Sequence, residues 1–192
     1  LISLLANVEV DGDTLDDTEL AMFLVQLLVA GNETTRNALS GGLVAFSERP
    51  DQWARLRAEP ALVGTAVDEV LRWTTPVVYF MRTTTREVTV GDVTLAPGTP
   101  VVLHYLAANR DEAEFGPSAG EFDIVRDPNH HVAFGSGPHF CLGAALARIE
   151  LRAMLDALAA RFATVEPAGA VERSMSLVIA GVRSAPLVLS EG

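Results

Sequence analysis

The sequence is poor in sulfur chemistry. Among its 192 residues there is a single cysteine, Cys141. One thiol cannot close an internal disulfide, so a reducing, cytoplasmic setting is expected. Nor can it hold an iron–sulfur cluster, which needs several thiolates. Positive charge is also scarce. The 14 Lys and Arg face 25 Asp and Glu, for a net charge of −11, which argues against nucleic acid or an anionic membrane surface as partner. Long apolar runs are missing. The longest, Leu20 to Ala30, is interrupted by Gln26 and is too short to span a bilayer, so no membrane span is expected. There is no secretory-leader pattern, internal repeat or low-complexity linker. An initiator Met is absent too. "LISLLANVEV" begins in what reads as the middle of a helix, and the expectation is that residues 1–192 are the carboxyl-terminal part of a single domain whose N-terminal half is absent.

What is present is apolar enough to fold: hydrophobic residues make up 49% of the chain. From Asp17 to about Glu48 no proline intervenes, and Asp16 or Asp17 supplies helix-start chemistry. A helix of that length is about 50 Å long. Its first half, "LAMFLVQLLVA", is apolar on almost every face, which predicts burial on all sides. "RPDQWARLRAEP" and "ALVGTAVDEVLRW" read as two shorter helices, the second ending before Pro76. From Val77 to His104 the pattern alternates, with turns at Gly91-Asp92 and Pro97-Gly98, as in a hairpin followed by a further strand. A loop-rich stretch follows, then helix from about Leu142 to Phe162, then short strands.

Three stretches carry chemistry. "HHVAFGSGPHFCLGAALARIE" places Cys141 just ahead of a helix, behind Gly135 and Gly137. Unpaired N–H groups and the helix dipole stabilise a thiolate there. Gly143 leaves room for a bulky group against the first turn. Taken alone the stretch allows three readings: a buried core cysteine, a zinc site from His130, His131, His139 and Cys141, whose spacing fits no standard pattern, or an axial thiolate on haem iron. "AGNETT", Ala30 to Thr35, sets Asn, Glu and Thr in the middle of an apolar helix, a cost unless those groups have partners or a task. Glu69 and Arg72 in "DEVLR" share a helix face, an arrangement that is usually a surface pair of little consequence.

Phe134, Gly135, Gly137, His139, Cys141 and Gly143 together resemble the F-G-x-G-x-H-x-C-x-G signature of the cytochrome P450 family, and the resemblance extends over essentially the whole chain. It implies a mainly α fold with small β sheets, the carboxyl-terminal half of a cytochrome P450, running from the long oxygen-activation helix through the haem-ligand loop to the last helix. The implied cofactor is haem b, with Cys141 as the axial ligand of its iron. Ala30 and Gly31 then leave space over the haem, Glu33 relays protons and Thr34 positions one for dioxygen. Glu69 and Arg72 match the family's buried E-x-x-R pair. Arg126 is the candidate third member, although the stretch from Phe115 to Phe122 looks one residue longer than usual. Arg82 and His139 match the positions that face haem propionates. His104, His131, Trp53 and Trp73 are read as structural. The implied activity is oxygen insertion from O2 into a C–H bond, with electrons from a ferredoxin-type donor and its NAD(P)H-dependent reductase. The apolar "TPVVYFM" and "MSLVIAG" segments suit a lipophilic substrate. Several stretches resemble bacterial enzymes that oxidise sterol side chains and methyl-branched lipids. Two other classes remain open: a catalytically idle haem- or ligand-binding module, and a metal hydrolase built on the histidines.

Overall fold

A computed structural model describes residues 2–192. In chain order the elements are helix α1 (Ile2–Leu5), strands β1 (Glu9–Val10) and β2 (Asp13–Thr14), helices α2 (Asp17–Glu48), α3 (Pro50–Ala58) and α4 (Val63–Thr74), strands β3 (Tyr79–Thr83), β4 (Val88–Val90), β5 (Val93–Leu95) and β6 (Pro100–His104), short helices α5 (Tyr105–Ala108) and α6 (Glu112–Phe115), the long helix α7 (Ala144–Arg161), and strands β7 (Phe162–Pro167), β8 (Glu172–Arg173), β9 (Val182–Ser184) and β10 (Leu187–Glu191). Among the described residues the strands form five separate two-stranded ladders, all antiparallel.

Helix α2 starts where local chemistry dictates. The Asp16 carboxylate accepts from the N–H groups of Thr18 and Glu19, and the Glu19 side chain reaches back to the Asp16 N–H. The hairpin expected at Gly91-Asp92 is β4–β5. The Pro97-Gly98 turn, however, leads into β6, which returns to pair with β3, so the hairpin is nested inside a longer-range ladder. The β1–β2 ladder ahead of α2 was not anticipated.

The core lies among the second half of α2, α3, α4, α7 and β7. Phe46 meets Trp53 and Phe122 edge-on, each at 5.2 Å between ring centres, and Leu151 and Leu155 of α7 close the cluster. Two adjacent glycines let α2 approach α4. A Cβ at Gly42 would stand 2.8 Å from Val70 Cγ1, and one at Gly41 equally close to Thr74 Cγ2. The helix therefore gives up some intrinsic propensity at these positions to gain a tight crossing.

The expectation that α2 is buried on all sides fails in its first half. The buried residues of this helix all lie between Asn37 and Ser47. Met22, Val25, Leu28 and Val29 are more than half exposed, as are Leu142, Leu146 and Ile149 around the start of α7. The pattern read the helix as apolar all round correctly, but among the described residues its N-terminal turns are at most partly buried, at Leu20, Phe23, Leu24 and Leu27. Between α2 and α7 runs an open groove of about 560 Å³ lined by Gly31, Thr35, Leu39, Leu151 and Met154. No described helix is long and apolar enough to cross a membrane.

Each exposed aliphatic side chain forgoes roughly 1.5–3 kcal/mol of burial, against a domain stability of only about 5–15 kcal/mol. Residues 1–192 expressed alone are therefore expected to self-associate rather than persist as a haem-loaded monomer. Light scattering on the eluting species, with haem content and a melting curve, checks this; a monomer with stoichiometric haem and a sharp melt contradicts it.

Candidate active site

The site rests on a buried carboxylate. Glu69, on α4, is fully buried, and Arg72 one turn later is buried with it. The Arg72 guanidinium donates from Nε and Nη2 to the two Glu69 oxygens at 2.7 Å each. Its remaining N–H groups reach the carbonyls of Asn109, Ala119 and Glu121. Arg126 donates from Nε to Glu69 Oε2 at 3.3 Å and from its other nitrogens to Phe115, Ser118 and Glu121. The surface-pair alternative for Glu69 and Arg72 is thus replaced by a buried one, and Arg126 joins it despite the longer loop. Asn129 Nδ2 and the Asp123 N–H also donate to Glu69, so a carboxylate that would be costly unpaired is saturated.

Asn109, which the sequence reading did not single out, ties this cluster to the cysteine loop. Its Nδ2 donates to Thr75 Oγ1 at 2.9 Å, and its Oδ1 accepts the Val132 N–H at 2.7 Å. The loop then turns. The Gly135 N–H donates to Val132 O, and Gly135 and Gly137 both hold φ near +70°. At Gly135 the space is limited as well, since a Cβ there would lie 3.2 Å from the Tyr105 hydroxyl. Cys141 follows with its N–H donating to Phe134 O at 3.0 Å and its carbonyl accepting from Ala144 N–H, the first residue of α7. The thiol is free and exposed. Gly143 caps α7 without any side-chain hydrogen bond, so no side chain competes for the first-turn N–H groups behind the sulfur.

The other expected residues occupy several elements. His139 ends a short 3-10 turn, Gly137–His139, and is exposed. Arg82 lies on β3, half-buried, donating to Met81 O. On α2, Thr34 Oγ1 donates back to Ala30 O at 2.7 Å, the back-bonding that a mid-helix threonine uses to satisfy its hydroxyl. Glu33 pairs loosely with Arg36 at 3.8 Å, both half-exposed. At Gly31 nothing lies within 4 Å of an added Cβ. Glu69, Arg72 and Arg126 come together directly; His139 sits on the Cys141 loop itself, whereas Arg82 and the Ala30–Thr34 segment share no hydrogen bond with that loop.

The histidines do not gather as a zinc site requires. Among the described residues no group of three or more His, Cys, Asp or Glu could hold a metal ion. His130 faces Glu114 at 3.0 Å, and His131 faces Asp68 at 3.3 Å. Asp68 also accepts from Arg148 Nε at 2.9 Å. Burial alone would raise the Asp68 pKa, but the hydrogen bonds from His131 and Arg148, with the Arg148 charge, outweigh it and hold the carboxyl below its ordinary range. The donor set does fit a haem. It offers one open sulfur ahead of an uncapped helix, a loop kept low by left-handed glycines, an apolar surround in Phe140 and Leu142, and two cationic or hydrogen-bonding side chains, Arg82 and His139, suited to propionates.

These features suit a haem-thiolate centre, and comparison with known proteins gives the family. The cytochrome P450 family model matches residues 1–187, and the chain belongs to that family. It is 41% identical over 184 residues to a steroid C26-monooxygenase of Mycolicibacterium smegmatis, covering 95% of this chain and 42% of that protein. It is 44% identical over 196 residues to a methyl-branched lipid omega-hydroxylase of Mycobacterium bovis, covering 99% and 45%. The crystal structure of CYP108D1 from Novosphingobium aromaticivorans superposes with a TM-score of 0.92 at 38% identity, over 99% of this chain and 46% of that one. CYP109E1 from Bacillus megaterium, in complex with testosterone, superposes at 0.90 and 36% identity, over 98% and 52%. The chain thus spans about half the length of the relatives it matches.

Because the Asp68 carboxyl is held low, it contributes stability above its unfolded-state pKa of about 3.9 and loses that contribution as pH falls through the lower folded-state value. Asp68→Asn is expected to lower the melting midpoint at neutral pH, with the gap to wild type closing below about pH 3.9. Melting curves of both proteins across that range check this; a gap independent of pH contradicts it.

Proposed function

We propose that residues 1–192 are the carboxyl-terminal part of a haem-thiolate monooxygenase that inserts one oxygen atom of O2 into a C–H bond of a lipophilic substrate. The observation that carries this is the Cys141 sulfur, free and exposed on a glycine-shaped loop ahead of the uncapped start of α7. When bound, haem b supplies the chemistry that activates dioxygen, one atom entering the substrate and the other leaving as water.

The residues of this chain have separate tasks. The Cys141 sulfur, on the loop ahead of α7, would hold the haem iron as its thiolate ligand. Arg82 and His139 would orient the haem through its carboxylates. Small side chains at Ala30 and Gly31 keep α2 from filling the space above. The Thr34 hydroxyl holds a proton at Oγ1, which in the structure it donates to Ala30 O. Glu33, only loosely held by Arg36, carries protons inward from solvent. The intact Glu33-Thr34 pair favours a working enzyme over an idle binding module, since binding alone needs neither group.

Substrate contacts fall to apolar side chains on two segments bridged to one another, Val77 pairing with Ile179 and the Val78 N–H donating to Val178 O. Exposed Phe80, Met81, Met175 and Leu177 on or beside them suit a sterol, terpene or branched lipid, in keeping with relatives named for steroid and methyl-branched lipid oxidation. Electrons come from a ferredoxin-type donor reduced by an NAD(P)H-dependent partner, and a single cysteine in these 192 residues suits a cytoplasmic location.

In the full-length protein, Cys141→Ser is expected to abolish the far-red-shifted ferrous–CO band of a haem thiolate; a variant that keeps this band refutes the ligand assignment. Thr34→Ala is expected to retain haem and substrate binding while product formed per nicotinamide consumed drops, toward the roughly 100-fold effect of losing a positioned proton donor. Unchanged coupling would remove Thr34 from proton delivery.

A further inference from the structure

Glu69 builds the buried cluster, but its neighbour Asp68 turns the other way. Asp68 Oδ1 accepts from Arg148 Nε at 2.9 Å and faces His131 Nε2 at 3.3 Å. The His131 imidazole is 2% exposed, and its Nδ1 accepts the Ala133 N–H at 3.2 Å. With Nδ1 occupied as acceptor, Nε2 carries the proton and donates to Asp68. Arg148 belongs to α7 and is only partly covered, so without Asp68 its charged end would turn to water. Instead the guanidinium lies 4.6 Å from the centre of the Phe134 ring, with the His131 ring 5.8 Å from that ring on a tilted face. Phe134 is the residue whose carbonyl accepts the Cys141 N–H. Three elements, α4, the cysteine loop and α7, thus converge through one carboxylate on a ring next to the sulfur's own backbone.

We propose that Asp68 is a positioning residue for the cysteine loop: by holding His131 and Arg148 it clamps Phe134, and through the Phe134 carbonyl it fixes the Cys141 backbone and the sulfur's exposure to water and hydrogen-bond donors. Arg148 and His131 are the two arms of that clamp. Groups that set ligand orientation and solvent access tune a metal site without touching the metal. None of the three side chains belongs to the Glu69 cluster or reaches the thiol. The assignment rests on the haem-thiolate reading of Cys141, and the test keeps the two apart.

The test uses the full-length, haem-loaded protein with Asp68→Asn, Arg148→Lys and the double variant, and Asp92→Asn as a charge control on the exposed β4–β5 turn. Arg148→Lys keeps the charge but loses the planar face that stacks on Phe134, and it lies at a partly exposed position that tolerates exchange, so it remains informative if Asp68→Asn loads poorly. Two quantities are read beside the melting midpoint: the reduction midpoint of the haem, and the rate at which the ferrous–CO thiolate band converts to the blue-shifted neutral-thiol band under mild denaturant. Each single variant is expected to convert about tenfold faster, the scale of one well-placed cation–ring contact, and to shift the reduction midpoint. The double variant should do neither further, because both changes release the same ring. Asp68→Glu should recover most of the wild-type behaviour. Variants that melt lower but keep the wild-type reduction midpoint and conversion rate, or shifts no larger than that of Asp92→Asn, or additive effects in the double variant, overturn the proposal. A wild-type protein without the thiolate band would instead overturn the ligand reading on which it rests.

Discussion

The structure depends on burying one negative charge. Glu69 has no exposed surface, and an isolated carboxylate there would cost several kcal/mol. Two guanidinium groups, an amide and a backbone N–H satisfy it. In doing so they draw in the loops around Phe115–Glu121 and the turn at Asn109, whose carbonyls take the remaining arginine protons. Those segments contain little regular structure and few ladder bonds of their own. The ion cluster gives their backbone a fixed address, and the cysteine loop is fastened to that address through Asn109.

Glu69 and Asp68 are adjacent on one helix yet face different neighbourhoods, as successive positions on a helix must. One collects the loops that precede the cysteine; the other collects the cysteine loop and the helix behind it. Helix α4 is amphipathic, with Val63, Val67, Val70 and Leu71 in the core, so its seating fixes both carboxylates at once. Core packing and placement of the site are therefore one event, with Trp53, Phe46 and Phe122 packed in the same cluster as the apolar face of α4.

Much of this was legible in the sequence because it is local. The span of α2 follows from an acidic cap and the lack of proline. The cysteine loop announces itself by fixed spacings, and Glu69 and Arg72 by their three-residue separation. What escaped depends on distant partners. The β3–β6 ladder is paired across a nested hairpin, and periodicity says nothing about which strand returns. Asn109, Asp68 and Arg148 look like ordinary polar residues until the fold brings Val132, His131 and Phe134 to them. The exposure of Met22 to Val29 was misjudged because an apolar pattern states what a helix needs and not what the described residues provide.

The glycine crossing of α2 on α4 has a mechanical meaning. Gly41 and Gly42 leave no room for a Cβ against Thr74 and Val70, so the angle of one continuous hydrogen-bonded rod is set at that crossing. Ala30 lies about 17 Å along the rod from Gly41 and Met22 about 29 Å, at about 1.5 Å per residue. A methyl group added at the crossing would therefore act through a lever, moving Ala30 and Thr34 further than the backbone at Gly41, while the sulfur is fastened separately, through Asn109.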